Sequence, residues 1–222
     1  MDKFPLARPG WPYVLGALLL ALVATALGVW WLAVPLWLAA LIIINFFRDP
    51  ARAAQAGSRA VISPADGKVV AVQDAVHQDL PGGRGRMISI FMNIFDVHVN
   101  RAPVSGRVQG VRRVPGGFLP ADRPQAAVAN ERVEVVIAPA GGGALVVSQV
   151  AGLVARRIHC RLAPGDIVQR GQRYGMIRFG SRLDVYLPLE AEARVQPGQR
   201  VRAGVTVIGE LPDGPPQAPP QP

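Results

Sequence analysis

Two reactive side chains are scarce in this chain of 222 residues. The single cysteine, Cys160, excludes an intrachain disulfide framework and any cysteine-rich metal cluster. The only lysines are Lys3 and Lys68. A pyridoxal phosphate enzyme binds its cofactor through a lysine, and Lys68 is the one candidate outside the N-terminal tail. The composition therefore argues against pyridoxal phosphate and against a cysteine-rich metal cluster.

The positive charge of the chain comes almost entirely from arginine. There are 24 basic and 15 acidic residues, which gives a formal net charge of +9. The arginines are scattered, and no aromatic-rich basic stripe or known nucleic-acid motif surrounds them, so nucleic acid is not the expected partner. Guanidinium groups also pair with phosphate and carboxylate, and an anionic lipid surface is the better match.

Charged residues are absent from residues 11–47, which form one long apolar run. A membrane-spanning helix needs about 20 residues, so this run is too long for one span and just long enough for two short ones. It also exceeds the apolar core of a signal peptide, about 7–15 residues. Pro35, with Trp30 and Trp31 before it, suggests a re-entry near the middle. Basic residues flank both ends, which predicts a helical hairpin in the cell (inner) membrane with both termini cytoplasmic. A single tilted span remains open.

The segment after the apolar run has the pattern of a mainly β domain. Short β-branched runs are punctuated by Gly and Pro, without a sustained helical period. The pattern P-G-x-x-V-x-x-G occurs at Pro164–Gly171 and again at Pro197–Gly204. This repeat predicts turn–strand–turn units in a compact, turn-rich β-sandwich of the barrel-sandwich-hybrid type, with quasi-repeated halves.

These patterns predict five consecutive segments. They are an N-terminal tail (1–10), a membrane anchor (11–47), a linker (48–60), the β domain (61–211) and a disordered Pro-rich tail (212–222).

The pair Gly180-Ser181 lies in the stretch RFGSRLDVYLP. It is not the G-x-S-x-G elbow of a serine hydrolase, and an isolated Gly-Ser pair is usually a turn. Its surroundings, however, resemble the processing segment of the phosphatidylserine decarboxylase family. The resemblance is strongest to the short bacterial and archaeal branch of that family. The resemblance extends, in the family's order, over SPADGKV (63–69), ISIFMNIFDVHVNRAPVSG (88–106), NER (130–132) and QVAGLVARRIHC (149–160).

The resemblance implies an enzyme made as a proenzyme, a carboxy-lyase that converts phosphatidylserine to phosphatidylethanolamine and CO2. In the family, the Gly-Ser bond cleaves itself through an N-to-O acyl shift. Here Gly180 would end a large chain (1–180), and Ser181 would begin a small chain (181–222) as a covalent pyruvoyl group that forms a Schiff base with the substrate. The resemblance further implies no metal and no pyridoxal phosphate, a heterodimer of the two chains, a possible homo-oligomer, and phosphatidylserine taken from the bilayer.

The resemblance also implies roles for acid–base residues. His98 matches the first histidine of the family's Asp-x-His-x-x-His-x-Pro motif, but Arg101 stands in place of the second histidine. The base for self-cleavage is therefore open: either His98 serves both self-cleavage and decarboxylation, or a different residue serves one of them. Arg101 could instead bind the carboxylate or phosphate. Asp66 matches the aspartate of the family's P-A-D-G turn, which resembles a relay acid, although Asp-Gly is also a common turn pair.

Four further residues are candidates for substrate binding. Asn130 and Glu131 match a polar motif that we expect near the site. Arg178 and Arg182 flank the bond and would stabilise an oxyanion, pair with phosphate, or simply face solvent. Of the other histidines, we expect His159 to be packed in a strand and His77 to lie in a surface loop.

Two alternatives remain open from the sequence. One is a membrane-tethered β module without enzymatic activity, such as a lipoyl-like carrier or an adaptor. A carrier needs its lysine at an exposed hairpin tip, and Lys68 directly after Asp66-Gly67 fits that poorly. The other is a homologue acting on archaetidylserine.

Overall fold

The computed structural model describes residues 5–53, 56–153, 157–178 and 180–212. They form two compact units. Residues up to 51, with residues 95–97, make a largely helical unit, and the remaining residues make a mainly β unit. Beyond Pro212, the expected Pro-rich tail lies outside the described residues.

The helical unit contains two consecutive apolar helices, α1 (Trp11–Ala26) and α2 (Trp30–Phe46). Residues 5–7 and 47–49 run antiparallel beside each other, with the Asp49 N–H donating to the Pro5 carbonyl at 2.6 Å. The two ends of the helix pair therefore lie together, as in a hairpin. Arg8–Ala26, including a short 3-10 turn, is long and apolar enough to cross a membrane, whereas α2 has 17 residues.

The re-entry between the helices differs in place from the sequence-based prediction. Pro35 lies inside α2. The chain instead reverses at residues 27–29, where Gly28 has a φ of +72°. Glycine adopts this left-handed conformation without the steric cost of a Cβ, so the turn forms at Gly28.

Within the described ranges, the β unit contains fourteen strands, one short α-helix, α3 (Ala126–Ala129), and a 3-10 turn at Pro81–Gly83. The strands are β1 (Ala60–Ile62), β2 (Gly67–Val76), β3 (Arg84–Met92), β4 (Val99–Arg101), β5 (Gly106–Val114), β6 (Arg132–Pro139), β7 (Leu145–Val150), β8 (Ile158–Cys160), β9 (Ile167–Val168), β10 (Arg173–Ile177), β11 (Ser181–Pro188), β12 (Glu192–Ala193), β13 (Arg200–Val201) and β14 (Val207–Glu210).

These strands form three antiparallel sheets. The largest has the order β13-β2-β3-β11-β7-β6-β5-β9, and the two smaller ones are β1-β14-β12 and β4-β10-β8. Alternate residues of β3, β11, β7 and β6 join one buried apolar cluster with residues of the smaller sheets. The prediction of a mainly β, sandwich-like domain is confirmed, and the predicted turn–strand–turn units are present in both repeats.

The repeats produce two halves with matching hydrogen bonds. Gly165 donates its N–H to the Val108 carbonyl and Gly198 donates to the Val69 carbonyl, both at 2.8 Å. Correspondingly, β9 pairs with β5 at Gly106 and β13 pairs with β2 at Gly67. Each P-G-x-x-V-x-x-G unit therefore pairs with a second glycine-containing strand start, which explains why both patterns occur twice.

Candidate active site

Ser181 is the first residue of β11, a central strand between β3 and β7. It lies opposite Met92 and shares its face of the strand with Leu183, so its side chain points into the apolar interior. Ser181 is fully buried, and its Oγ has no hydrogen-bond partner among the described residues. Gly180, just before it, has a φ of +59°. A buried, unpaired hydroxyl thus adjoins a backbone conformation that other residues adopt only under strain.

The carbonyl of Gly180 is held against a second glycine, Gly152. A Cβ added at Gly152 would lie 1.8 Å from the Gly180 carbonyl oxygen, closer than any side chain could come. Gly152 belongs to the segment QVAGLVARRIHC (149–160), which resembles the family, but the sequence assigns no role to this glycine. Its missing side chain lets the backbone after β7 touch the carbonyl of the Gly180–Ser181 bond.

A pocket opens beside this bond. Its volume is about 270 Å³, and its lining residues are Phe91, Ile94, Pro120, Ala121, Asp122, Leu153 and Gly180. That volume is just below the range of roughly 300–1,000 Å³ typical of small-molecule sites. The wall is largely apolar, and the Ile94 and Leu153 side chains are more than half exposed at its edge. The pocket is therefore suited to a ligand that is partly apolar.

Arg182 lies on the opposite side of β11 from Ser181. Its guanidinium donates to Asp184 Oδ1 at 2.6 Å, to Ser89 Oγ at 2.7 Å and to the Arg123 carbonyl at 3.3 Å. Arg182 is 2% exposed and Asp184 is fully buried. Contact between Arg182 and a substrate phosphate does not fit this geometry, because neighbouring strand residues point to opposite faces. The residue instead fastens the start of β11 to β3 and to the loop before α3.

Asp66 makes a two-pronged ion pair with Arg52, with Oδ2 at 2.8 Å from Nη2, and Oδ1 accepts the N–H of Ala203 at 2.7 Å. The second half of the domain has a matching contact, in which Ser105 Oγ accepts the N–H of Arg170 at 3.0 Å. Asp66 therefore has a structural task in the repeat. Its role as a relay acid stays a prediction.

His98 and Arg101 are both buried around β4. His98, fully buried, directly precedes the strand, and Arg101, at its end, is 3% exposed. One nitrogen of the Arg101 guanidinium donates to the Gly171 carbonyl at 3.2 Å. The acid–base role of His98 and the binding role of Arg101 stay predictions.

Asn130 fixes the loop that forms one wall of the pocket. Its Nδ2 donates to the carbonyls of Leu119 at 2.8 Å and Ala151 at 2.7 Å, and its Oδ1 accepts the N–H of Leu119 at 2.8 Å. Both amide hydrogens are used, which favours a positioning role over direct substrate contact. Glu131, half-buried, continues this connection because its carbonyl accepts the N–H of Ala151 at 2.9 Å.

Arg178 is half-buried, and its Nη2 lies 3.4 Å from Nε2 of His159. His159 lies in β8 as predicted, but most of its side chain is exposed, so the expectation that it is packed in the strand is wrong. Partial burial, followed by the nearby charge of Arg178, lowers the pKa of His159. This shift favours the neutral form of its imidazole.

His77 lies in the loop after β2, as predicted, but the prediction of a surface position is wrong: His77 is 8% exposed, and its ring packs on that of Tyr186 with the centroids 4.8 Å apart and the planes tilted by 50°. His77, Asp79 and Glu134 bring three potential metal ligands within 4.8 Å of one another. Arg112, however, lies 2.6 Å from Glu134 and 2.8 Å from Asp79. A guanidinium already occupies the position in which a cation would be stabilised.

The carboxylate at the centre of this cluster is kept ionised. Burial alone would raise the pKa of Glu134, but hydrogen bonds from His77, Arg132 and Arg112 outweigh it and lower the pKa to about 2. The cluster is therefore an ion-pair network that runs from the buried Glu134 to the exposed Arg112, on the face of the sheet that points away from Ser181.

Comparison with known proteins assigns the chain to a family. A family model described as phosphatidylserine decarboxylase matches residues 39–209. Phosphatidylserine decarboxylase proenzyme of Cupriavidus pinatubonensis is 50% identical over 208 residues, which cover 93% of this chain and 95% of that protein. The proenzymes of Ralstonia pickettii and Burkholderia mallei are each 48% identical, over 93% and 95% of this chain and 95% and 97% of their own lengths. With Gly180-Ser181 at the start of the central strand, the chain belongs to the phosphatidylserine decarboxylase family.

Proposed function

We propose that this protein is a phosphatidylserine decarboxylase that activates itself by cleaving the Gly180–Ser181 bond. The observation that carries the proposal is the geometry of this bond: a left-handed glycine precedes a buried serine whose hydroxyl has no partner in the described part of the chain. The names of the relatives, all proenzymes of this decarboxylase, support the same activity.

The cleavage needs only atoms of the chain and one water. Ser181 Oγ attacks the Gly180 carbonyl carbon, the C–N bond breaks, and the hydroxyl proton passes to the freed amine. Loss of the α-proton of residue 181 then expels the Gly180 carboxylate and leaves dehydroalanine. Water adds to its tautomer and releases ammonia, which leaves a pyruvoyl group at the start of β11. Gly180 has no Cβ, so no side chain of that residue hinders this first step.

The pyruvoyl group would supply the electrophilic ketone and the electron sink that decarboxylation requires. The residues around Ser181 fit such a group, because the serine is buried among apolar side chains and its hydroxyl has no partner that conversion would leave unsatisfied. The pocket beside Gly180 offers a way for a lipid headgroup to approach, with apolar side chains at its edge. Arg182 and Asp184 hold the start of the small chain in place.

A carrier function is less well supported. Lys68 lies inside β2, paired with Arg200 and Phe91, and not at a hairpin tip where a carrier lysine must sit. Between the two lipid substrates, the relatives' names favour phosphatidylserine over archaetidylserine. Assays with both lipids decide between them.

We also propose that α1 and α2 tether the enzyme to the cell membrane with the β domain on the cytoplasmic side. Their ends lie together, and Arg8 and Arg48 flank them, which the positive-inside rule assigns to the cytoplasm. A tethered enzyme meets a substrate that does not readily leave the bilayer. Protease treatment of inverted and right-side-out membrane vesicles tests the orientation: the β domain should be digested only in the inverted ones.

The decisive experiment compares the wild-type protein with Ser181→Ala by intact mass. Wild type should give fragments 1–180 and 181–222, with a small fragment that lacks its N-terminal amine, and should release CO2 from phosphatidylserine. Ser181→Ala should remain one chain without activity. Ser148→Ala is the matched control and should behave as wild type, because Ser148 is a buried serine of β7 on the face of the sheet that points away from Ser181. An uncleaved, active Ser181→Ala protein would refute the proposal.

A further inference from the structure

Two side-chain amides, Asn100 and Gln149, lie over the start of β11. Gln149 on β7 is opposite Leu183, and Met92 on β3 is opposite Ser181. Asn100 contacts both flanking strands: its Oδ1 accepts from Gln149 Nε2 at 2.8 Å, and its Nδ2 lies 3.9 Å from Met92 Sδ. A side chain that reaches from β7 to β3 must pass over β11 between them, so the amide pair adjoins Ser181.

The orientation of the Gln149 amide is fixed by its neighbours. Nε2 donates to Asn100 Oδ1 at 2.8 Å and to the His159 carbonyl at 3.3 Å, which uses both of its hydrogens. Gly175 leaves room for this arrangement, since a Cβ there would lie 2.7 Å from Gln149 Nε2. Oε1 is left buried, and it has no hydrogen-bond partner within the described ranges. A buried acceptor without a donor is costly unless a ligand completes it.

We propose that Gln149 Oε1 accepts a hydrogen bond from the amino group of the serine headgroup, and that Asn100 is the positioning residue that aims it. This inference rests on the proposed function. Because both donors of Gln149 are already used, the group that completes the site must itself be a donor. In phosphatidylserine, the ionised phosphate and carboxylate can only accept hydrogen bonds, so the amine is the one group of the headgroup that fits.

The neutral acceptor also suits the chemistry of the amine. Attack on a ketone requires the uncharged amine, and a carboxylate beside it would favour the ammonium form. A glutamine carbonyl orients the amine without that electrostatic pull. Gly180 lines the pocket one residue from position 181, so the amine would reach Gln149 from the pocket once the bond is cleaved.

The test compares two lipids on Gln149→Leu, which keeps side-chain bulk but removes the acceptor. The probes are phosphatidylserine and phosphatidyl-3-hydroxypropionate, which has the same phosphate and carboxylate but no amine. Intact mass first reports whether the variant cleaves itself, which we expect. The kcat/KM for phosphatidylserine should fall about 10- to 100-fold, the usual effect of losing a buried hydrogen bond to a charged or polar ligand group. The inhibition constant of the deaminated lipid should change less than about threefold. Ser148→Ala should change neither.

A second variant, Gln149→Glu, guards against a folding defect. An ionised glutamate repels the Asn100 and His159 oxygens, whereas the protonated acid restores one donor and one acceptor. Its kcat/KM relative to wild type should therefore rise as the pH falls, and burial shifts this rise toward higher pH.

Equal weakening of both lipids by Gln149→Leu, or an unchanged kcat/KM, overturns the assignment. So does failure of both variants to cleave themselves, since Gln149 would then serve folding or maturation. If wild type is not cleaved, the proposed function itself fails, and the two failures are therefore distinguishable.

Discussion

Replacing Gly152 with alanine should block maturation while leaving the fold in place. The added Cβ would stand 1.8 Å from the Gly180 carbonyl oxygen, and contact becomes ordinary only at 3.4 Å. The carbonyl must therefore retreat by roughly 1.6 Å, or the backbone after β7 must shift by as much. In the proposed self-cleavage, Ser181 Oγ attacks this carbonyl, and a displacement of about 1 Å from a reactive geometry can cost about 100-fold in rate. We expect self-cleavage to slow at least 100-fold.

The assay follows the fraction of intact chain by mass spectrometry at successive times after synthesis. Gly141→Ala is the matched control, because a Cβ there meets nothing within 4 Å, and it should mature at the wild-type rate. Folding is measured separately by comparing the melting temperatures of Ser181→Ala and Gly152→Ala/Ser181→Ala, neither of which can be cleaved. Overpacking should cost the double variant about 1–3 kcal/mol.

Cleavage of Gly152→Ala at the wild-type rate would refute this reasoning, because the carbonyl would then react equally well from a displaced position. Loss of folding in the double variant would likewise show that the contact at Gly152 supports the domain as a whole and not the reacting bond in particular.

Three further predictions concern the surroundings of the site. Arg182→Ala leaves Asp184 buried without its cation, so the free energy of unfolding measured in urea should fall by about 3–5 kcal/mol. The double variant Arg182→Met/Asp184→Leu should recover most of this loss. Equal stability of the single and the double variant contradicts the prediction. The pKa of Glu134 is about 2 in the folded protein against its ordinary value of 4.5, so the stability that this carboxylate contributes is present above about pH 4.5 and is lost as the pH falls toward 2. Melting temperatures of Glu134→Gln should therefore fall less steeply than those of wild type over that interval, and parallel slopes contradict it. Asn130→Ala should raise KM for phosphatidylserine and lower stability by about 1–3 kcal/mol, because three hydrogen bonds holding the pocket wall are lost; an unchanged KM speaks against the positioning role.

The sequence predicts those features that depend on local pattern. Apolar length predicts the two helices, and the recurrence of P-G-x-x-V-x-x-G predicts the paired halves. Strand alternation also predicts the orientation of Arg182, since a residue next to Ser181 in a strand must face the other side of the sheet. The site outside these patterns depends on contacts between distant segments, which no local rule supplies.

Asn130 and His77 illustrate that limit. Asn130 bonds to backbone atoms 11 and 21 positions away, so nothing in its own neighbourhood distinguishes a clamp from a substrate ligand. His77 follows the polar C-terminal end of β2, and it is buried by contacts with Glu134 of β6 and Tyr186 of β11, which are distant in sequence. Gly152 was visible as a glycine in a motif, but the atom that it accommodates belongs to a residue 28 positions later.

The position of the proposed cleavage site within the β domain has a consequence for the cleaved form of the protein. The segment that follows the cut supplies β11, bonded on both sides, and also β12, β13 and β14 in two different sheets. Removing it would open the largest sheet at its centre and leave β1 without its neighbour. In a protein cleaved at the proposed site, the two polypeptides would be interwoven, and separating them would require unfolding the β domain. Cleavage would create two new chain termini without creating a subunit that can detach.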